Sequence, residues 1–522
     1  MKMFHFPCLA AGICLCFLSS GCGKQNIPES KTALTEQAGY VSASDVSSAL
    51  NEEPVSDSPG EAGFDDSVNV DSGECQSAEE PSYSAESADQ TTGILGIDLS
   101  DPLGLQGEVY NVYCSDDSFE KLMIRYYPGY EEGEAENVAP QAAVQIHTGA
   151  VGDTAVRWTI VQSNLNEYQN LLDDALLNSE TRESDARVDL FIADTSILSK
   201  YIDEAAGVTL TAAEIGLPDA EDTDTQYAFT CELADDVNGE QRAFTWQVPC
   251  GAFVYRRSFA ETVFGTSEPE EIAKLISDSE RMEEAAEKLY ASGILMFSDT
   301  SELFYPMLSR IGGWVTEDGR INVDAQTMNW VETTKHFVDC GYIDGTEPYS
   351  AEWMLGLSDQ GHVFGYFLTS EEVCRYAEGS DWSVCAAPRS YINGGSWICA
   401  AKDSDNKNLT KDLISFFVLN LDNAEEMTRE SGELSNHREA MSVISGDASY
   451  GNSVFGGEND ISIWSASAEN MNCEGTTSYD AVLSEIFKES YLPYFNGEIT
   501  EEEALISFYR EALERYPDLL DG

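Results

Sequence analysis

The histidines stand at positions 5, 147, 336, 362 and 437, and no two of them are three or four residues apart. A zinc site on one helix face needs that spacing, so no metal centre is expected. The chain has no Gly-x-Ser-x-Gly elbow, no Walker loop and no Gly-x-Gly-x-x-Gly turn. Ser404-Asp405-Asn406-Lys407 carries the residue types of a penicillin-binding motif, but no Lys-Thr-Gly accompanies it. Asp403, Asp405, Lys407 and Asp412 begin like a calcium loop that lacks the Gly at its sixth position and the closing Glu. Both patterns read as a polar turn that caps a helix. Asp and Glu are so abundant that counting does not exclude a glycosidase pair, yet nothing singles one out. The expectation is therefore binding without catalysis, cofactor or metal. What remains is aromatic: Trp246, Trp314, Trp397 and Tyr255, with Gln247, Asp116 and Asp194 as polar company. Flat rings that stack, beside acceptors and donors that fix hydroxyls, make a carbohydrate cleft. Each residue also has a structural reading: core packing for the tryptophans, helix capping for Asp116 and Asp194, and packing across a chain crossing for Gln247 and Tyr255.

The elements that must position these residues alternate. Glu108–Cys114 has the alternation of a strand, and Ser115–Ser118 caps a helix through Phe119, Leu122, Met123 and Tyr126. Arg157–Val161 is a strand, Asn164–Leu177 a helix, and Arg187–Ile192 a third strand that runs into Asp194. Strand, helix, strand, helix, strand predicts a mainly parallel sheet with helices on both faces. Asp116 and Asp194 then lie at strand ends, where open α/β sheets bind ligands. Further on, Pro269–Leu289 and Gln326–Asp339 read as helices, and His362–Tyr366 and Trp382–Ala387 as strands. Lys411–Leu421 reads as another helix. Thr500 with Glu503 forms a capping box for a last helix, whose Ala504, Leu505, Phe508, Ala512 and Leu513 share one face.

Composition limits the partners. Acidic residues outnumber basic ones 94 to 28, for a net charge of -66. No Lys or Arg cluster could follow a phosphate backbone, so nucleic acid is excluded as a partner. There are 13 cysteines and no Cys-x-x-Cys. Nine lie beyond the first 22 residues, scattered and odd in number, and read as small buried hydrophobes more readily than as a disulfide framework. Met1–Gly21 reads as a signal segment: Lys2, an apolar run Phe4–Leu18 too short for a permanent span, then Ser19-Ser20-Gly21 before Cys22. The end of this segment resembles a bacterial lipobox, which implies lipidation of Cys22; Leu18 stands one residue early and Ser19 takes its place. Ordinary cleavage near Gly21 is the alternative. Residues 22–105 are rich in Ser, Glu, Asp, Ala and Gly and lack periodic apolar positions, so they read as a disordered tether.

The chain is organised around Phe244–Ala260. An apolar and aromatic run, Phe-Thr-Trp-Gln-Val, meets Pro249-Cys250-Gly251, resumes as Ala252–Tyr255 and reaches Arg256-Arg257. A strand, a bend and a second strand entering a helix can carry a chain from one α/β lobe to another. This segment resembles the first interlobe crossover of bacterial extracellular solute-binding proteins, the sugar-type receptors of ABC importers. Gly265-Thr266-Ser267-Glu268-Pro269 is similar to that family's Gly-Thr-x-x-Pro. Asp189-Leu190-Phe191 with Asp194, Pro388–Trp397 and Ser431–Ser435 also resemble family segments, as does Asn496-Gly497 with Glu501–Glu503. The resemblance covers about Glu108 to Asp518. It implies a type II periplasmic-binding-protein-like α/β fold, with lobe 1 at 106–255 and 392–433 and lobe 2 at 256–391 and 434–522. It implies a monomeric receptor, lipid-anchored on the outer face of the cell membrane, that captures an oligosaccharide and delivers it to an ABC permease. Trp246 and Trp397 would stack on sugar rings, and Asp116, Asp194 and Gln247 would bond hydroxyls. Trp314 and Tyr255 belong to the same expected site. The rivals are a secreted carbohydrate hydrolase, an adhesion or sensory lipoprotein on the same scaffold, and a receptor for peptides or polyamines.

Overall fold

Alternation of side chains along each strand decides which face is buried; the central strands here are buried on both faces, while the strands on one flank of the larger sheet keep exposed positions. In the computed structural model, residues 107–520 are described, apart from 140–143, 163–164, 204, 219–223, 309–312, 317, 474–476 and 478. The expected signal segment, Cys22 and the tether at 22–105 lie outside the described residues. Two sheets organise the rest. The first has six strands in the order β2-β3-β4-β1-β5-β9. They are β1 (Val109–Cys114), β2 (Tyr130–Ala139), β3 (Val144–Val151), β4 (Thr154–Val161), β5 (Leu190–Asp194) and β9 (Ser396–Ala400). The second has three, in the order β7-β6-β8, with β6 at Gly251–Arg256, β7 at Gly365–Thr369 and β8 at Trp382–Cys385.

Strand β1 pairs in parallel with β4 and with β5, as the sequence predicts. The sheets are not mainly parallel as expected: β2–β3, β3–β4 and β5–β9 are antiparallel, as are both pairs of the second sheet. The short connections from β2 to β3 and from β3 to β4 can join only antiparallel neighbours. The antiparallel hairpin β2–β3 on the flank of β4 is not predicted. Its outer strand is Tyr-Glu-Glu-Gly-Glu-Ala-Glu-Asn-Val-Ala, a run whose charge hides the strand pattern, and whose edge position tolerates that charge. The predicted helix at 269–289 is two helices, Pro269–Leu275 and Ser279–Ala291, the second capped by Asp278. The predicted strand at 362–366 is displaced to β7, and the predicted helix at 411–421 is Lys407–Ile414 followed by a π-helical turn at Ser415–Leu419.

On β9, Ile398 and Ala400 enter one core with Tyr110, Val112 and Trp158, while Trp397 and Cys399 enter the core on the opposite face with Phe191 and Tyr201. Strand β6 does the same. Ala252 and Val254 pack with Trp382, Trp464 and the helix Arg438–Ser445, and Phe253 and Tyr255 pack with Phe297, Phe364 and the aromatic core of the C-terminal helices. That core holds Trp314, Trp330, Phe487 and Phe508, with the Phe487 ring centroid 5.0 Å from Trp314 and 4.9 Å from Phe508. The last helix, Glu501–Arg515, carries the predicted capping box.

The strand β6, placed by the sequence at the end of lobe 1, is the central strand of the second sheet. The reason is local. Phe244–Cys250 makes only isolated bridges, to Ile398, Ser435 and Ile392, and regular pairing resumes at Gly251. The chain therefore leaves the first sheet before Tyr255. Gly251 is required at this turn, because a Cβ there would stand 1.9 Å from the Tyr391 ring.

Asp189, just before β5, ties the first sheet together. Its carboxylate accepts from Asn111 N at 2.8 Å and from Ser404 Oγ at 2.7 Å. Burial pushes its carboxyl up to about 6, against those bonds. The folded chain thus holds this proton more tightly than the unfolded chain. Its contribution to stability is complete below the ordinary carboxyl range near 4 and is lost as pH rises through about 6. We expect Asp189→Asn to lower stability overall but to flatten its decline between pH 4 and pH 7, by on the order of 2 kcal/mol. Urea denaturation at several pH values checks this; an unchanged slope would refute it.

Candidate functional site

Three chain crossings lie side by side between the sheets, and the site is the recess where they meet. The first crossing is Phe244–Cys250, the second Tyr391–Gly395, the third Gly432–Asn436. Their backbones bond directly: Gly251 N donates to Tyr391 O at 3.1 Å, Asn393 N to Pro249 O at 3.1 Å, and Asn436 N to Trp246 O at 3.0 Å. Gly395 adopts φ +105°, and a Cβ there would stand 2.8 Å from Pro249, so the second crossing needs glycine at this point. The recess is open to solvent, about 280 Å³ when the open space at its mouth is counted, and is lined by Gln247, Val248, Pro249, Thr369, Ser370, Glu371, Asn393, Gly395, Glu433 and Leu434.

Its polar groups form one network. Gln247 accepts from Ser396 N at 2.9 Å and donates through Nε2 to Glu371 Oε2 at 2.5 Å. One side chain thereby joins the end of β9 to the helix Ser370–Tyr376, which follows β7. Arg375 donates to the other oxygen of Glu371 at 2.5 Å. Glu372 closes the capping box of that helix with Thr369 and also accepts from Asn393 Nδ2 at 3.2 Å and from Tyr349 OH at 2.5 Å. Glu433 enters from the third crossing. Burial, and then the nearby charge of Glu371, push its carboxyl up to about 7. Burial also raises Glu371, against the opposing charge of Arg375. The recess thus offers carboxylate acceptors and amides, with one guanidinium at its margin.

Of the residues expected from sequence, Gln247 is at the centre. Asp194 caps the helix Thr195–Ile202, accepting from Ser196 N at 2.8 Å; burial raises its carboxyl, and the charges of Asp116 and Glu485 add to this. Asp116 is exposed, accepts from Ser118 N at 2.8 Å, and its charge reaches Glu371 as well as Asp194. Asp194 keeps its capping role, Asp116 sits one residue before the N-cap Asp117 and bonds the first N–H of its helix, and the charge of Asp116 reaches the recess at Glu371. The aromatic residues are placed otherwise. Trp246 is 7 % exposed, its ring centroid 5.2 Å from that of Phe119. Trp314 donates to Ser484 Oγ at 2.8 Å inside the C-terminal core. Trp397 is fully buried and donates to Thr195 Oγ1 at 2.9 Å, and Tyr255 is fully buried with its hydroxyl on Ser267 O at 2.6 Å. All eight tryptophans of the chain are buried. Their expected role as stacking platforms gives way to core packing, because a large ring buried between sheet and helix stabilises the lobe more than an open ring would. Tyr349, 43 % exposed and bonded to Glu372, is the aromatic ring open beside the recess.

Sequence reasoning does not find Glu371, Glu372, Asn393 or Glu433. Two signals were available: Thr369-Ser370-Glu371-Glu372 has the spacing of a capping box, and Glu433 lies within Ser431–Ser435, already read as a crossing.

No protein-family model and no curated protein matches the sequence. Among solved structures, the chain is similar to an extracellular solute-binding protein of family 1, with a TM-score of 0.61 and 13 % identity over 78 % of this chain and 99 % of the other. It is also similar to the ABC transporter associated binding protein of B. animalis subsp. lactis in complex with β-1,6-galactobiose (TM-score 0.57, 16 % identity, 78 % and 98 % covered). A third is the galacto-N-biose/lacto-N-biose I-binding protein of Bifidobacterium longum in complex with lacto-N-biose (TM-score 0.55, 13 % identity, 80 % and 100 % covered). The fold is therefore that of the type II periplasmic binding proteins: two α/β lobes joined by crossing segments. Within that class it is the fold found in these sugar-binding ABC transporter proteins.

Replacing Gln247 by Ala would leave Ser396 N–H without its acceptor and Glu371 without one donor. We expect a loss of about 1–3 kcal/mol in unfolding free energy, read from the urea midpoint. A change below about 0.5 kcal/mol would show that the crossings hold together without this side chain.

Proposed function

We propose that this protein is an extracytoplasmic receptor that captures a carbohydrate, an oligosaccharide, between its two lobes and hands it to the permease of an ABC importer. The observation that carries this reading is the recess at the three crossings, where Gln247, Glu371, Asn393 and Glu433 present side-chain acceptors and donors. A sugar supplies many hydroxyl donors, and carboxylates accept from them strongly. Hinge motion at the crossings would close the lobes on the ligand. Two of the similar structures are complexes with disaccharides, β-1,6-galactobiose and lacto-N-biose, which supports the same ligand class here. The receptor binds without chemical change to its ligand. It is a monomer with lobe 1 at 106–255 and 392–433 and lobe 2 at 256–391 and 434–522, anchored through a lipid on Cys22 and reaching outward on the tether at 22–105. Among the described residues no helix is long and apolar enough to cross a membrane, which accords with an anchor carried by the N-terminal segment.

One observation favours a second reading. Glu371 and Glu433 line the recess, Glu372 and the charge of Asp116 stand beside it, and among the described residues Arg375, bonded to Glu371, and Arg125, whose charge reaches Glu433, offset them only in part. A cationic ligand such as a polyamine would suit that balance.

Isothermal titration calorimetry of the chain lacking residues 1–22 separates the two. Galactobiose, lacto-N-biose, longer oligosaccharides and spermidine are the titrants. We expect micromolar binding of at least one sugar, recovered intact. Glu371→Gln or Glu433→Gln should weaken it by about tenfold, the loss of one charge-assisted bond. Binding of spermidine alone, strengthening as pH rises through about 7 where Glu433 ionises, would move the assignment to the cationic class. Because all eight tryptophans are buried, any fluorescence change on binding would report lobe movement rather than ring contact.

A further inference from the structure

Residues four apart on a helix share a face, and near the end of the helix Ala325–Cys340 that pair is His336 and Cys340. The Cys340 sulfur lies 3.9 Å from Nδ1 and 3.8 Å from Nε2 of His336. Nε2 is also 2.8 Å from Glu283 Oε1, which comes from the neighbouring helix Ser279–Ala291. The side chains of His336 and Glu283 are close to half exposed, at 47 % and 43 %, and Cys340 is partly exposed. Thiol, imidazole and carboxylate thus stand in series at the surface of the second lobe, and none of the three lines the recess.

This order of groups has a chemical consequence. An imidazole beside a thiol can take its proton, and a carboxylate bonded to the other ring nitrogen steadies the imidazolium that results. Of the other described cysteines, Cys231 is also partly exposed, and the rest are placed differently. Cys114, Cys250, Cys385 and Cys399 are buried, and burial pushes the thiols of Cys250, Cys374 and Cys473 up to about 12. Around Cys340 the remaining charges are mostly negative. Glu287 and Glu283 act on the adjacent Tyr342 hydroxyl, which also meets Cys340; Asp339 is paired with Lys335; and Glu332 lies one turn before His336. A field of that sign repels anionic reagents and admits neutral or positively charged ones.

We propose that Cys340 is a modification site, primed by His336 and Glu283, that forms mixed disulfides with small neutral or positively charged disulfides. His336 accepts the thiol proton, and the Cys340 sulfur attacks one sulfur of the incoming disulfide. A new sulfur–sulfur bond forms as the old one breaks, and the departing thiolate takes the proton back from His336 and leaves as a free thiol. The exchange needs no further oxidant.

The full chain, freed of reductant, is incubated in parallel with cystamine and with oxidised glutathione, quenched in acid, digested and mapped by mass spectrometry. Cys340 should gain the cystamine adduct at least about tenfold faster than Cys374 or Cys473, and cystamine should outpace glutathione disulfide. His336→Gln, a change at an exposed position that should leave the melting temperature in place, should slow Cys340 about tenfold near pH 7. Glu283→Gln should slow it less. Equal rates at Cys340, Cys374 and Cys473, or a His336→Gln variant as fast as the parent near pH 7, would overturn the assignment. A faster reaction with glutathione disulfide would overturn the charge preference.

Discussion

Everything in this structure hangs on the backbone pairing of three crossings, because they are what make two sheets one protein. A crossing leaves the hydrogen-bonded interior of one sheet and enters another, so its own peptide groups have no ladder to join. Here they satisfy one another. Phe244 and Ile398 exchange bonds at 3.0 and 2.6 Å, Asn393 bonds Pro249, and Asn436 bonds Trp246. Asn436, buried beneath them, adds side-chain bonds at 3.0 Å to Thr245 O and Thr230 Oγ1 and accepts from Tyr227 N at 3.1 Å. Gln247 finishes the set by reaching both β9 and the helix after β7.

That constraint also creates the recess. Three crossing segments that pair beside the start of the helix Ser370–Tyr376 leave polar side chains around a gap, and Glu371 and Glu433 are held there partly out of water. Their raised carboxyls follow from burial, with Arg375 offsetting part of the cost at Glu371 and the charge of Glu371 adding to the shift at Glu433. The tryptophans took the opposite course. Each sits between a sheet and its helices, and the buried indoles of Trp314 and Trp397 keep a hydroxyl partner at 2.8 and 2.9 Å. The aromatic cores and the polarity of the recess are thus carried by different residues, and Gln247 joins the two by bonding both the end of β9 and Glu371.

Much of the fold is legible in the sequence, for a physical reason that particular elements display. Strands β1, β4 and β5 are apolar runs flanked by capped helices, and such runs have few alternatives to a buried parallel sheet. Thr500 and Glu503 start the last helix where their spacing says they should. The hairpin β2–β3 escaped because its outer strand is acidic, and an edge strand draws its pairing from a neighbour rather than from its own pattern. Less of the site is legible. Gln247 was marked by its place beside a bend, whereas Glu371 and Glu433 are two among 94 acidic residues.

The sequence by itself determined the α/β class of the chain, many of its period-two and helical segments and the presence of a crossing within Phe244–Ala260, since these follow from local pattern and turn chemistry; where in that segment the chain leaves the first sheet was decided by tertiary pairing. Tertiary structure decided which side of each residue meets solvent. Trp246 and Gln247 are neighbours on the chain, yet one is core and the other reaches the recess, because successive residues of an extended segment point to opposite sides. It also brought Gln247, Glu371, Asn393 and Glu433 together across nearly two hundred residues. No local rule encodes such a meeting; it exists only once three crossings have paired.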